Sequence, residues 1–104
     1  MFEATILIPL TDNPGAPHNP QAWAEFEKQL ALEFGGFTKA AQCSFGGWVD
    51  HAGNLVTDTS REYAVALSSL AQGAALIGVA KTAKRLFKQD AIYIRYLGQS
   101  EVIS

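Results

Sequence analysis

The sequence predicts one α+β domain over residues 1–104, with its elements in the order β-α-β-β-α-β and an extra β-hairpin between the second and third strands. Three observations carry this. Two stretches space their apolar residues three or four apart, as helices do, and four shorter stretches alternate apolar and polar residues, as half-buried strands do. Clusters of Pro, Gly, Asn and Asp separate them. The chain is 48% hydrophobic and 17% charged, a globular balance far from that of disordered segments.

EATILIPL (Glu3–Leu10) reads as the first strand. Ala4, Ile6, Ile8 and Leu10 share one face, and Thr5, Leu7 and Pro9 share the other. The turn-rich loop TDNPGAPHNP follows. Asn19 then offers a side-chain acceptor to the free N–H groups of a helix, and Pro20 sits where a missing N–H does no harm. The helix runs from about Pro20 to Phe34, with Trp23, Phe26, Leu30 and Phe34 on one stripe, and Gly35–Gly36 ends it.

FTKAAQCSFGGWV reads as the second strand, with Ala41, Cys43 and Phe45 facing the core and Ala40, Gln42 and Ser44 facing away. DHAGN has the makings of a tight turn, between Trp48–Val49 and Leu55–Val56. Asp58–Ser60 predicts a second bend, and REYAVALS (Arg61–Ser68) is the third strand, with Tyr63, Val65 and Leu67 on one face. A second helix spans about Ser69–Lys88. Leu76, Ala80, Ala83 and Phe87 cluster on it, flanked by Val79, Leu86 and Ile77, while Lys81, Lys84, Arg85 and Lys88 gather opposite. AIYIRYL (Ala91–Leu97) is the fourth strand, and EVIS a short last one. This order is the split βαβ pattern of ferredoxin-like folds, an antiparallel sheet with two helices on one face and the other face open.

FGGFT (34–38), GGW with Asp50 just after it, GNLVTD (53–58) and LFKQDAIYI (86–94) together resemble a family of small bacterial proteins of unknown function. The resemblance implies a ferredoxin-like domain of the kind that pairs as dimeric α+β barrels. It carries no activity and no functional residue.

Net charge is −2, and the eight Lys and Arg form no run, which excludes an ordinary nucleic-acid footprint. The single cysteine, Cys43, excludes an intrachain disulfide, and it reads as a small buried hydrophobe. MFEATILIPL lacks the pattern of a signal peptide, and the least charged stretch, about Tyr63–Ala80, is too rich in Ser, Gly, Gln and Ala to span a membrane. A cytoplasmic protein without membrane contact is the expectation. No P-loop, dinucleotide glycine pattern or Ser-His-Asp motif is present, so no cofactor is expected.

Two places remain as candidates for chemistry. The hairpin carries Trp48, Asp50, His51 and Asp58, a possible ligand rim. It reads better as turn chemistry with Trp48 as a lid on the core, and no histidine spacing suggests a metal. His18 lies in the proline-rich loop and reads as solvated. The open sheet face should carry Thr5, Leu7, Gln42, Ser44, Glu62, Ala64, Ala66, Tyr93 and Arg95. An apolar face must be covered. The expectation is therefore a non-enzymatic homodimer or partner-binding module, joined through this face. The alternative is a small-ligand-binding protein or cofactor-independent enzyme of the dimeric barrel type, with Gln42, Glu62, Tyr93, Arg95, Trp48 and His51 as ligand contacts. There Arg95 would hold an anion, and Tyr93 or a histidine would move a proton. A further alternative is a mobile-element-encoded inhibitor of host machinery.

Overall fold

The computed structural model describes residues 1–97 and 99–104, and for Gln99 the backbone alone. The elements are β1 (Phe2–Pro9), α1 (Pro20–Phe34), β2 (Thr38–Lys39), β3 (Ser44–Val49), β4 (Leu55–Leu67), α2 (Gln72–Leu86), β5 (Ile92–Tyr96) and β6 (Gln99–Ile103). The sheet is antiparallel in the order β2-β4-β1-β5-β6, and β3 also pairs with β4. β1 thus lies between β4 and β5, the placement that the split βαβ order requires.

Alternation decides which face the helices cover. Ala4, Ile6, Ile8, Tyr63, Val65, Leu67, Ile92 and Ile94 are buried against Phe26 and Leu30 of α1, Leu76, Val79, Ala80 and Ala83 of α2, and Phe87 just after it. Each large side chain removed from water here contributes roughly 1.5–3 kcal/mol. α1 starts and stops where the sequence says. Asn19 accepts from the Gln21 N–H, Pro20 follows, and Gly35 adopts a left-handed cap (φ 84°).

Three local expectations are corrected. Residues 37–49 are not one strand. Lys39 faces Tyr63 but Ser44 faces Ser60, so residues 40–43 lie against residues 61–62. The two extra residues form a bulge. It puts Gln42 and Cys43 into solvent, so Cys43 is exposed rather than buried. The bend expected at Asp58–Ser60 is absent, because β4 runs straight through it. Ser60 pairs with Pro9 on one side and Ser44 on the other, and this double pairing overrides the turn preference of the residues. α2 begins at Gln72 rather than Ser69, with the Gln72 side-chain oxygen accepting from the N–H and Oγ of Ser68. The hairpin turn is as expected. Asp50 Oδ1 accepts from the N–H of Ala52 and Asn54, and Gly53 takes the positive φ of 83° that the turn needs.

No helix among the described residues is long and apolar enough to cross a membrane.

Candidate functional site

The open face is not flat. Beyond Ser60 the β3–β4 ribbon rises from one end of the sheet, and with two loops it encloses a cleft of about 980 Å³, within the range of small-molecule sites. Each strand contributes through alternation. Leu7 and Pro9 come from β1, and Ser60, Asp58 and Val56 from β4. Ser44, Gly46 and Trp48 come from β3, and Tyr93 comes from β5. The ladder pairs Ser44 with Ser60, Gly46 with Asp58 and Trp48 with Val56, so these side chains stand on the same side of the ribbon.

The loop after β1 is folded tightly upon itself. Asp12 accepts from Ala16 and Gly15, Thr11 pairs with Pro17, and Gly15 takes a φ of 99°. Two side chains hold this loop from behind. Gln89 Nε2 donates to the Thr11 carbonyl at 2.8 Å. His18 Nε2 lies 2.8 Å from the Pro9 carbonyl, and since a carbonyl only accepts, this nitrogen carries the proton. The His18 ring also meets Trp23 and Phe87 edge-on at 5.4 and 4.9 Å, so His18 is half-buried rather than solvated. It acts as a peg behind the cleft wall.

The chemistry of the cleft is aromatic and acidic. Trp48 and Tyr93 supply rings, and Asp12, Asp58 and Asp90 supply carboxylates. No Lys, Arg or His is among the described lining residues. Trp48 Nε1 donates to Asp58 Oδ2 at 3.0 Å. Trp48 is therefore not a lid on the core. It is half-exposed and faces the cleft, because it shares alternation with Ser44 and Gly46.

The other expected residues separate. Tyr93 lines the cleft. Glu62 and Arg95 lie further along the open face, 3.9 Å apart as an ion pair, with Ser44 Oγ donating to Glu62 at 3.3 Å. Gln42 sits on the exposed bulge, and His51 is exposed in the hairpin turn; neither lines the cleft. His18 and His51 are not brought together. Among the described residues no group of His, Cys, Asp and Glu is placed to hold a metal. The loop residues Thr11–Asn13, Gly15 and Gln89–Ala91 were missed in the sequence. Trp48 and Asp58 had a usable signal, the period-two alternation running on from Ser44 and Glu62.

The titration shifts lie elsewhere. On the helical side burial, then the 2.6 Å hydrogen bond to Glu27, pushes the Tyr63 phenol far above its usual range. Tyr96 is raised through its hydrogen bond to Glu101.

No family model and no curated protein matches the chain. Two solved structures do match its fold. One is a phage SAM lyase in complex with S-methyl-5'-thioadenosine, with a TM-score of 0.75 and 16% identity over 99% of this chain and 88% of that one. The other is a phage SAM lyase in the apo state, with a TM-score of 0.67 and 18% identity over the same shares. At these identities the likeness shows the fold. It establishes the small α+β architecture that the sequence motifs implied. It also overturns the expectation of a non-enzymatic module, since both of these end-to-end matches are lyases.

Proposed function

We propose that the cleft on the open sheet face binds S-adenosylmethionine and that the chain cleaves it, releasing S-methyl-5'-thioadenosine. The observation that carries this is the lining of the cleft, with two rings and three carboxylates and no basic side chain among the described residues, on a fold shared with the phage SAM lyases. S-adenosylmethionine carries a sulfonium, an ammonium and one carboxylate, so its net charge is positive. An acidic cleft attracts such a cation and raises its local concentration.

Each chemical part of that substrate has a matching group. Trp48 and Tyr93 offer faces to a purine. The hydroxyls of Ser44 and Ser60, on the cleft floor, suit a ribose. Arg95, on the same open face and paired with Glu62, offers a cation to the substrate carboxylate. In the reaction the substrate's own carboxylate oxygen bonds to the amino-acid carbon next to sulfur as the bond between that carbon and sulfur breaks. The electron pair of the broken bond goes to sulfur, and the amino-acid chain leaves as a lactone. The sulfonium thereby becomes a neutral thioether. Of the residues expected from sequence, Trp48, Tyr93, Glu62 and Arg95 stay in this account, while Gln42 and His51 leave it.

We infer as well that two copies associate through the remainder of the open face, where Ala64 and Ala66 stay partly or fully accessible. Light scattering on the purified chain tests this, and a monomeric mass overturns it.

The proposed reaction is tested by incubating the purified protein with S-adenosylmethionine and separating adenine-absorbing products by chromatography. Time-dependent, protein-dependent formation of S-methyl-5'-thioadenosine supports it. An unchanged substrate peak at high protein concentration rejects it.

A further inference from the structure

We infer that the slot above Gly46, with the Trp48 indole on one side and the Asp58 carboxylate opposite, is the seat of the ligand's positive centre and selects sulfonium over thioether. This rests on the proposed use of the cleft and names the residues that set its charge specificity.

The geometry is local and specific. Gly46 and Asp58 are direct cross-strand partners on the cleft side of the ribbon. In most such pairs two side chains fill the space between them. Here one is missing, and a Cβ built on Gly46 would meet nothing within 4 Å. The vacancy does not serve the backbone, because Gly46 has no positive φ. Two residues along, on the same side of the ribbon, Trp48 is 53% exposed and donates its indole N–H to Asp58 Oδ2 at 3.0 Å. That bond holds one carboxylate oxygen, Oδ2, and does not use the other. Gly47 is different, since an added Cβ there would lie 3.3 Å from the Leu55 side chain and 3.5 Å from the Val56 carbonyl. The empty space at Gly46 has no such neighbours.

An indole beside a fixed carboxylate is the arrangement that binds onium ions. The ring quadrupole attracts the cation through its face, and the carboxylate adds its charge where water is partly excluded. A sulfonium fits better than an ammonium in one respect, because it has no N–H groups to satisfy. Cleavage removes the charge that the slot recognises, so the neutral product loses this part of its binding and leaves.

The test compares two non-cleavable probes by isothermal titration calorimetry. Sinefungin has a protonated amine on the carbon that replaces sulfur, and S-adenosylhomocysteine has a neutral thioether there. The native protein should bind sinefungin at least about tenfold more tightly, the scale of a cation–ring contact with a nearby carboxylate. Asp58→Asn keeps an acceptor for the Trp48 N–H and removes the charge. It should weaken sinefungin by about tenfold and S-adenosylhomocysteine by less than about twofold. Gly46→Val fills the slot without backbone strain and should weaken both probes. Equal affinity for the two probes in the native protein, or equal weakening of both by Asp58→Asn, overturns the inference. If the protein releases S-methyl-5'-thioadenosine yet treats the probes alike, the inference falls and the proposed reaction stands. If it binds neither probe and releases nothing, both fall.

Discussion

Trp48 and Asp58 are joined across the β3–β4 ribbon by a 3.0 Å hydrogen bond, with Gly46 opposite the carboxylate. The bond is exposed, so it adds at most about 1 kcal/mol to folding. Its consequence is for the cleft. Trp48→Phe keeps a ring and loses the donor, so Asp58 is no longer held. The expected result is a Tm within a few degrees of the native protein, with binding of sinefungin weakened several-fold. Differential scanning calorimetry beside titration calorimetry checks both halves.

His18 and Gln89 hold the far wall of the cleft through the Pro9 and Thr11 carbonyls. Gln89→Ala removes two neutral hydrogen bonds, to the Thr11 and Phe87 carbonyls, and should lower stability by about 1–2 kcal/mol. His18→Ala also loses ring contacts with Trp23 and Phe87, and should lower it by about 1–3 kcal/mol. Both should speed amide exchange at Asp12, Gly15 and Ala16, whose N–H groups are bonded within this loop. Unchanged exchange there would show that the wall holds itself.

Phe87 is fully buried and touches the rings of His18, Trp23 and Phe26. Phe87→Ala should destabilise the fold by about 3–5 kcal/mol, read as a shift in the urea midpoint. It lies between the core and the peg behind the cleft, so ligand binding should weaken as well, whereas Leu76→Ala should affect stability alone.

Tyr63 supplies the pH prediction. Its phenol is held protonated by burial and then by Glu27, while in the unfolded chain it ionises near pH 10.0. The raised native value means that the stabilisation is complete below that pH and is lost above it, where the unfolded chain alone sheds the proton. Urea midpoints should therefore fall above about pH 10 in the native protein. Tyr63→Phe should be less stable at neutral pH by about 1–3 kcal/mol, through loss of a hydrogen bond to a carboxylate. Its alkaline fall should be shallower.

The fold was legible wherever one local rule acted alone. Asn19, Pro20 and Gly35 bound α1, and the alternation of Ile6, Ile8, Tyr63, Val65, Ile92 and Ile94 marks the covered face. Legibility failed where pairing overrode local preference. The run KAAQCS alternates like a strand, but the registers on either side of it differ by two residues, and only the neighbouring strand reveals the bulge. Asp58–Ser60 has the composition of a bend, yet strands on both sides keep it extended. The site was half legible. Tyr93 and Ser44 follow from alternation, and Trp48 and Asp58 would have followed from its continuation. Asp12 and Asp90 come from separate loops that only the folded chain brings to one rim.

The most direct test of the central claim is a ¹H–¹⁵N spectrum of the two tryptophan indole groups during titration with S-methyl-5'-thioadenosine. Trp48 faces the cleft, whereas Trp23 packs between His18 and Phe87 with Arg61 over its ring. The account predicts that the Trp48 indole signal moves progressively to saturation while that of Trp23 stays in place. A stationary Trp48 signal, or movement of Trp23 alone, would contradict it.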